Sequence, residues 1–506
     1  MGHPQPDTDP EVWEAQPRSS HVFTMGPLWQ IVEVNTLDPT DASGSPASAA
    51  FWPQHTSPAA LAQRRRRLRQ GFSGRAVLVS GSARARNFPH NVYPFRAESH
   101  FLYLVGRPIE GAALVFDAAG ARLYMPPVDP GSALWHGPEP THADWSRELG
   151  IEVRSLDALE PLVGAATLPP QDPAAAAWLT GRLGREIVAG SADRLEGADR
   201  ALGDAMIALR LVHDEAAIDQ MRQAAWVTAR AHVAGMRATR PGVREAQVAA
   251  AMQAEMARHG MGVAYESIVT VQGQVLHARH KHGLLGASDL LLADVGAETP
   301  EGWAADVTRT WPVSGRFSAT QRELYEAVLS ARAAALALVR PGASYRDVHL
   351  ASQRALLERL IELRILRGSA DSLFELHAAS LFYPHGVGHL LGLDVHDMED
   401  LGDRAGYAEG RVRQKDPTTR FLRLDRDLVP GMVVTIEPGF YQIPEILAAI
   451  EPSSPLERAL DREALARFAD VRGIRIEDDV LVTAAGYEVL SDGVPRSIVD
   501  IEALMA

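Results

Sequence analysis

The stretch LLADVGAETPEGWAADVTRT, residues 291–310, reads as two strand segments joined by a turn. The run that ends at Asp294 is apolar, and TPEG places Pro300 and Gly302 at the second and fourth positions of a four-residue turn. A hairpin with this turn brings Asp294 roughly opposite Asp306. Side chains on neighbouring strands lie about 5 Å apart, and two like charges at that distance repel each other. We therefore expect water, an arginine or a metal cation to offset the repulsion at this hairpin.

Composition narrows the class of protein. The chain has 506 residues, 46% of them hydrophobic and 23% charged, which fits a globular protein with two or more domains. Its formal net charge of −14 argues against nucleic acid as the main partner. The absence of cysteine excludes disulfides, thiolate metal sites and a cysteine nucleophile. No apolar run is long enough to span a membrane and no signal-like segment is present, so we expect a cytoplasmic protein.

The first part of the chain is expected to hold a tail and then a small α/β domain. Residues 1–50 are rich in Pro, Ser, Asp and Ala and predict a poorly ordered tail, with a short strand at Leu28–Val34. A helix is expected over Leu61–Gln70, and its four arginines, Arg64–Arg67, are interpreted as a solvated face and not as a site for an anionic partner. The strands predicted in this domain are Arg75–Ser80, Phe101–Val105, Gly111–Phe116, Ala121–Met125 and Ile187–Ala189.

The second half of the chain repeats a short arrangement. Arg-Pro-Gly occurs at residues 240–242 and again at 340–342, each time between two predicted helices. The predicted helices are Glu215–Thr239 and 244–258 in the first copy, and Gln321–Val339 and 344–365 in the second. Each copy continues into an apolar strand that ends in an acid, Asp289–Gly296 and Met432–Gly439. The repeat predicts a duplicated fold about a pseudo-twofold axis, with a site between its halves.

Acids and histidines recur in three further segments. These are HGVGHLLGLDVHD (His385, His389, His396), MVVTIEPG (Glu437) and GIRIEDDV (Arg475, Glu477, Asp479). Each segment has an ordinary explanation when taken alone. His385 and His389 could be neighbours on one helical turn, Glu437 could be a solvated carboxylate at a strand end, and Arg475 and Glu477 could form a surface ion pair. The two glycines within HGVGH disfavour a helix there.

Taken together, these acids and histidines form a candidate set of metal ligands. The candidate ligands are Asp294, Asp306, His389, Glu437 and Glu477. If they converge, their four carboxylates need two divalent cations for charge balance, and oxygen ligands with one imidazole suit Mn²⁺, Co²⁺ or Zn²⁺. Two such metals, about 3.5–4 Å apart, share a hydroxide that is nucleophilic at neutral pH. Glu437 could then accept a proton as general base, while nearby histidines donate to developing charge.

Four segments in order resemble the signature blocks of the proline-specific metallopeptidases, aminopeptidase P and prolidase. They are DVGAETPEGWAADVTRT, HGVGHLLGLDVHD, TIEPGFY and GIRIEDDV. The resemblance covers about residues 210–495, and residues 58–170, with NVYPFRAESHFLYLVG, resemble the N-terminal domain of the family. It implies an α+β fold in which a pita-bread catalytic domain with an internal pseudo-twofold duplication follows a smaller α/β domain. We expect a tail over 1–50, the N-terminal domain over 51–207 and the catalytic domain over 208–506.

The resemblance also implies roles for individual residues. It makes Asp294, Asp306, His389, Glu437 and Glu477 the ligands of a dinuclear site, usually occupied by Mn²⁺, with Zn²⁺ or Co²⁺ as alternatives. It makes Glu437 the general base as well, and places His277, His385, His396 and Arg475 beside the substrate or the metals. The gap between Asp294 and Asp306 is one residue longer than the family pattern. His280 and His282 are expected to be exposed loop residues without a role.

The resemblance implies hydrolysis of the N-terminal Xaa-Pro bond by a metal-activated hydroxide. Arg423 falls where prolidases keep an arginine for the substrate carboxylate, and forty residues separate Glu437 from Glu477, as in the longer prolidases. Both features favour an Xaa-Pro dipeptidase. The segment FPHNVYPFRAESHFLYLVG is at least as similar to aminopeptidase P, which acts on longer peptides. Arg423 could instead pair with Asp425 or Asp427.

Other classes of function stay open at this point. An enzyme of the methionine aminopeptidase type would use the same fold on a different bond, and a non-catalytic binding protein would use it without chemistry. A metal-free acidic pocket is a third possibility. The expected partners are small peptides with proline in second position, with no nucleic acid and no membrane. A homo-oligomer, either a dimer or a tetramer, is also expected.

Overall fold

The computed structural model describes residues 54–128 and 131–506. The predicted tail and the strand predicted at Leu28–Val34 lie outside this part of the chain. Among the described residues, no helix is both long enough and apolar enough to cross a membrane.

The amino-terminal domain is a mixed sheet covered by helices. Its helices are α1 (Pro58–Gly71), α2 (Ser99–Val105), α3 (Ala133–His136), α4 (His142–Leu149), α5 (Pro173–Leu183) and α6 (Gly197–Arg210). Its strands are β1 (Ala76–Val79), β2 (Ala113–Asp117), β3 (Gly120–Met125), β4 (Glu152–Ser155) and β5 (Ala166–Thr167). The strand order is β4-β3-β2-β1-β5, antiparallel from β3 to β1 and parallel at both edges. The predicted domain boundary after residue 207 lies within α6 and stays a prediction.

Two strands predicted in this domain are wrong. Phe101–Val105 forms most of α2, whose seven residues are all buried and which ends at Gly106 with a left-handed backbone. A short apolar run without polar alternation does not distinguish a strand from a buried helix. Ile187–Ala189 forms no strand, because the Ile187 N–H donates to the Thr180 hydroxyl at the end of α5 and not to a neighbouring strand.

The interpretation of the four arginines as a solvated face is wrong for two of them. Arg64 is 1% exposed and donates from Nε and Nη2 to the two carboxylate oxygens of Asp214, each at 2.7 Å. Arg65 is buried too, and its guanidinium donates to the backbone carbonyls of Leu104, Leu149 and Gly150. Arg66 is exposed and Arg67 is half-buried. The helical turn thus directs Arg64 and Arg65 inward with the buried Leu61 and Leu68.

The carboxyl-terminal half of the chain combines long helices with small antiparallel sheets. Its helices are α7 (Glu215–Ala238), α8 (Glu245–Arg258), α9 (Ala319–Leu338), α10 (Tyr345–Glu362), α11 (Ala370–Glu375), α12 (Asp403–Gly406), α13 (Pro444–Ala448), α14 (Pro455–Ala459), α15 (Arg462–Ala466) and α16 (Ile498–Met505). Its strands are β6 (Gly262–Val263), β7 (Ile268–Thr270), β8 (Leu290–Asp294), β9 (Ala297–Glu298), β10 (Thr308–Pro312), β11 (Val433–Ile436), β12 (Gly439–Tyr441), β13 (Gly473–Arg475), β14 (Asp478–Thr483) and β15 (Gly486–Val489). The described sheets have the orders β10-β8-β7, β11-β14-β15, β12-β13 and β6-β9.

The internal repeat is confirmed by matching backbone contacts. The Gly242 N–H donates to the carbonyl of Leu285 at 2.9 Å, and the Gly342 N–H donates to the carbonyl of Leu428 at 2.8 Å. Both glycines have positive φ, at 85° and 81°, a conformation that favours glycine. In each copy the turn separates a helix pair, α7 and α8 or α9 and α10, as predicted.

The tip of the hairpin between β8 and β10 is held by the amino-terminal domain. Glu301, only 2% exposed, accepts hydrogen bonds from Arg107 Nη1 at 2.8 Å and from the Thr56 backbone N–H at 2.7 Å. The Thr56 hydroxyl donates to the second carboxylate oxygen at 2.5 Å. The predicted turn is present, because the Gly302 N–H donates to the Thr299 carbonyl and Gly302 has φ +90°.

Candidate metal centre

The hairpin brings its two aspartates to one face, as predicted. Asp294 ends β8 opposite Thr308, and Asp306 lies just before β10. Tyr265 Oη lies 2.6 Å from one carboxylate oxygen of each aspartate. The backbone N–H of Asp306 donates to the buried carboxylate of Asp479 at 3.1 Å, which fixes this arm of the hairpin.

The other three predicted ligands converge on the same place. His389 Nε2 lies 3.3 Å from Asp306 Oδ2 and 3.8 Å from Glu437 Oε1. One potential ligand atom from each of Asp306, His389 and Glu477 lies within 4.8 Å of the other two. Asp294 joins the group through Tyr265. All five predicted ligands therefore surround one volume.

HGVGH is extended and not helical, as predicted, and it runs beside β11. The Thr435 N–H donates to the His389 carbonyl at 3.0 Å, and the Glu437 N–H donates to the Val387 carbonyl at 2.8 Å. Gly388 has φ +154°, and a Cβ there would lie 2.2 Å from the Thr435 carbonyl oxygen. Glycine at this position lets the strand approach closely enough to place His389 beside Glu437.

The electrostatics of the cluster favour cations. Burial raises the pKa of Glu437 to about 7, against the opposing charges of His389 and Arg475. Burial, followed by the charges of the neighbouring carboxylates, raises the pKa of Glu477 well above its ordinary value. These carboxyl groups are buried beside an imidazole, and their ionised forms need a positive counter-charge to be stable there. This donor set fits divalent metal ions.

Arg475 is a buried member of the site and not part of a surface ion pair. Its Nη2 donates to Asp294 Oδ2 at 2.5 Å and its Nε donates to Thr308 Oγ1 at 3.0 Å. Thr308 Oγ1 donates in turn to Glu477 Oε2 at 2.6 Å. The guanidinium therefore orients one predicted ligand directly and a second one through Thr308.

The three predicted catalytic histidines face the cavity above the ligands. Nε2 of His385 lies 2.9 Å from Tyr441 Oη, and Nδ1 lies 3.6 Å from Glu437 Oε2. The rings of His396 and His389 are 4.2 Å apart. His277 lines the cavity from an exposed loop. Burial lowers the pKa of all three histidines, that of His385 to about 3, so the neutral imidazole is favoured.

The cavity has about 1270 Å³, and the predicted ligands form part of its lining. Five arginines line it as well: Arg279, Arg413, Arg420, Arg423 and Arg475. Arg475 is buried beside the predicted ligands, whereas Arg279, Arg413 and Arg420 are exposed. Arg423 pairs with Glu399, and neither Asp425 nor Asp427 is its partner. Asp425 and Asp427 both pair with Arg411.

Three residues of the site were missed by sequence reasoning. Thr308 and Tyr441 lie within the quoted blocks VTRT and EPGFY, where their hydroxyls could have been noted. Tyr265 precedes β7 in GVAYESIVT, which has no pattern that points to the aspartates. His280 and His282 are exposed, as expected, and their rings stack 5.6 Å apart.

Comparison with known proteins agrees with both domains. The sequence profile of metallopeptidase family M24 matches residues 219–484, and that of the aminopeptidase P N-terminal domain matches residues 61–171. A probable Xaa-Pro aminopeptidase of Aspergillus niger is 32% identical over 455 residues, which cover 87% of this chain and 95% of the relative. The human Xaa-Pro dipeptidase is 31% identical over 448 residues, which cover 85% of this chain and 88% of the relative.

Solved structures show the same likeness. The aminopeptidase PepP of Pseudomonas aeruginosa superimposes with a TM-score of 0.72 at 30% identity, covering 89% of this chain and 98% of that one. Zinc-substituted aminopeptidase P of Escherichia coli, in complex with product, has a TM-score of 0.68 at 27% identity and covers 89% of this chain and 99% of that one. An α+β fold with this amino-terminal domain is thereby confirmed. With the profile match over its catalytic half, the chain belongs to metallopeptidase family M24.

Proposed function

We propose that the protein is a two-metal exopeptidase that hydrolyses the bond before a proline in second position, and that Xaa-Pro dipeptides are its preferred substrates. The observation that carries the proposal is that four carboxylates and one imidazole line one cavity together with several arginines, and that ligand atoms of Asp306, His389 and Glu477 lie within 4.8 Å of one another. The human Xaa-Pro dipeptidase and the fungal Xaa-Pro aminopeptidases are similar along most of this chain.

The proposed ligands of the metals are Asp294, Asp306, His389, Glu437 and Glu477. When bound, two divalent ions, with Mn²⁺ proposed and Zn²⁺ or Co²⁺ as alternatives, would supply the Lewis acidity that makes water a nucleophile at neutral pH. Tyr265 and Arg475 hold Asp294 in place from two sides. These contacts orient the ligand before any metal arrives.

Proton transfers are assigned to side chains around the cavity. We propose Glu437 as general base, because its carboxylate belongs to the ligand cluster and also lines the cavity that would hold the substrate. The neutral imidazoles of His277 and His396 donate N–H groups towards the substrate carbonyl or the leaving nitrogen. His385, beside Tyr441, is placed to contact the proline ring.

A second candidate is an Xaa-Pro aminopeptidase that acts on longer peptides. The cavity volume of about 1270 Å³ favours this alternative, because it exceeds the roughly 300–1,000 Å³ typical of small-ligand pockets. The dipeptidase proposal depends on Arg423, which lines the cavity and which we propose as the group that binds the free carboxylate of the dipeptide.

The deciding experiment compares Ala-Pro with Ala-Pro-Ala after reconstitution of the metal-free protein with Mn²⁺, Zn²⁺ or Co²⁺. Metal-dependent cleavage of either peptide supports the Xaa-Pro assignment, and a higher kcat/KM for Ala-Pro supports the dipeptidase. Elemental analysis provides the stoichiometry. A protein that binds no stoichiometric metal, or that cleaves neither peptide, would contradict the proposal.

A further inference from the structure

Two of the arginines that line the cavity differ from the others in having no acidic partner. Arg413 pairs with Asp403, and the other two engaged arginines, Arg423 and Arg475, pair with Glu399 and Asp294. Within residues 54–128 and 131–506, the guanidinium groups of Arg279 and Arg420 form no ion pair and no hydrogen bond with any carboxylate. Both side chains are exposed and line the cavity.

Arg420 stands on an anchored turn. Asp416 Oδ1 accepts hydrogen bonds from the backbone N–H groups of Thr418 and Thr419, both at 3.0 Å, and the Arg420 N–H donates to the Asp416 carbonyl at 3.0 Å. The buried His349 lies 2.9 Å from the Thr418 carbonyl. This backbone is therefore held without help from the Arg420 guanidinium, which lies over the Phe421 ring at 4.7 Å.

Arg279 lies two residues after His277, in a separate segment that also lines the cavity. Burial and the charge of Arg475 lower the pKa of His277, and the charges of Arg423 and Arg279 act in the same direction. Arg279, Arg423 and His277 all line the same cavity.

The buried part of the cavity is acidic, whereas its exposed lining holds arginines together with one carboxylate, Glu266, which pairs with Lys281. Asp294, Asp306 and Glu477 are buried, whereas Arg279 and Arg420 are exposed. In a peptide whose first bond, between Xaa and proline, is cleaved at the proposed ligands, the carboxyl-terminal end lies on the far side of the proline. A free α-carboxylate there can bind the guanidinium groups of Arg279 and Arg420 without displacing an acidic side chain from them.

We propose that Arg279 and Arg420 form a carboxylate-binding pair that selects substrates with a negative charge beyond the scissile bond, the free carboxyl group of an Xaa-Pro dipeptide in the first place. This inference rests on the proposed function. It adds two specificity-determining residues to Arg423, which must exchange Glu399 for the substrate.

The test compares Ala-Pro with Ala-Pro amide, which lacks the carboxylate, in Arg279→Gln, Arg420→Gln and the double variant. Arg340→Gln is the matched control, because it removes an equally exposed arginine outside the cavity. For each single variant we expect the KM for Ala-Pro to rise about tenfold, as for the loss of a charged hydrogen bond. The KM for the amide and kcat are expected to stay within about twofold. If the amide is not cleaved, its inhibition constant against Ala-Pro replaces its KM.

Two further experiments distinguish the loss of positive charge from a structural effect of the substitutions. Arg420→Lys should retain part of the preference for Ala-Pro, and raising the ionic strength should weaken that preference in the wild type but not in the double variant. Ala-Pro-Glu amide, which carries its negative charge on a side chain, tests whether any carboxylate suffices. A preference for it over Ala-Pro-Gln amide that disappears in the double variant supports the pair.

The outcomes distinguish this inference from the proposed function. Wild-type protein that cleaves no Xaa-Pro peptide with any metal overturns both. Wild-type protein that cleaves Ala-Pro, with variants that alter the acid and the amide equally or alter neither, overturns the carboxylate-binding pair alone.

Discussion

Arg423 Nη1 lies 2.6 and 2.7 Å from the two carboxylate oxygens of Glu399. Burial opposes ionisation of Glu399, but the hydrogen bond and charge of His396 and the charge of Arg423 outweigh it and lower the pKa of Glu399 to about 2. Glu399 is therefore ionised at every pH at which the enzyme is expected to work. A substrate carboxylate has to compete with it for Arg423.

Replacing Arg423 with alanine should affect dipeptides more than longer peptides. We expect the KM for Ala-Pro to rise about tenfold or more, in line with the roughly 1.5–3 kcal/mol of a charged hydrogen bond, and the KM for Ala-Pro-Ala to change much less. Steady-state kinetics with both peptides checks this. Equal losses on the two substrates would show that Arg423 supports the loop that carries Glu399 and does not recognise the carboxylate.

Replacing Glu437 with alanine should abolish Xaa-Pro cleavage without unfolding the protein. Loss of a general base alone costs about 10²–10⁴ in rate, and loss of a metal ligand adds to it. The thermal midpoint of the metal-free variant should be unchanged or higher, because one member of a repelling carboxylate cluster is gone. Retained activity would contradict the role of Glu437.

Replacing Tyr265 with phenylalanine should weaken metal binding. Its hydroxyl contacts both aspartates of the hairpin, and loss of such a supporting contact typically costs about 10–100-fold in metal affinity. Calorimetric titration of the metal-free protein with Mn²⁺ measures this directly. Tyr487→Phe, which removes a hydroxyl from an exposed side chain, serves as control, and equal affinities in the two variants would rule out the role of Tyr265.

Replacing Arg64 with alanine should destabilise the protein far more than replacing Arg66, although both belong to the same run of arginines. Arg64 is buried against Asp214, and removing one partner of such a pair costs about 3–5 kcal/mol. Arg66 is exposed, so its loss should stay within about 0.5 kcal/mol. Thermal unfolding of Arg64→Ala and Arg66→Ala measures the difference. Equal midpoints would contradict the inward orientation of Arg64.

Acid should destabilise the protein partly through Asp478. Burial opposes its ionisation, but Arg309 and Arg332 outweigh burial and hold the pKa of Asp478 well below its ordinary value. A carboxyl with a lower pKa in the folded state contributes stability above its unfolded pKa, about 3.9, and loses it as the pH falls. The thermal midpoint should therefore drop between about pH 5 and pH 3.

Asp478→Asn tests this assignment. It should lower stability at pH 7 by about 3 kcal/mol, because two buried arginines lose their anion, and should flatten the acid dependence. Asp347→Asn, at an exposed position, should reproduce the wild-type profile. An Asp478→Asn profile as steep as that of the wild type would assign the acid sensitivity to other groups.

The parts of the structure that sequence reasoning predicted well are those with a local signal. Proline and glycine specify the turn between Asp294 and Asp306, and the Arg-Pro-Gly repeats mark the ends of α7 and α9. Charge balance connected the five proposed ligands before any coordinates. The charge balance presupposes that the five residues converge, and the structure places all five in the lining of one cavity.

The errors and omissions depend on packing between distant segments. Phe101–Val105 has strand-forming residues and is buried on all sides, a pattern that fits a strand as well as the observed helix. Arg64 looked solvated because its partner, Asp214, is 150 residues away. Tyr265 reaches Asp306 across 41 residues. The sequence around Arg64 or Tyr265 has no pattern that indicates these distant partners.

The contacts of Glu301 limit how such enzymes can diverge or be recombined. The tip of the hairpin is bound by Thr56 and Arg107 of one domain, while its base carries Asp294 and Asp306 of the other. A chimera that takes its first domain from a relative would leave the buried Glu301 carboxylate without donors unless it also keeps Thr56 and Arg107. Inheritance of the metal centre is thereby tied to a domain that supplies none of the proposed ligands.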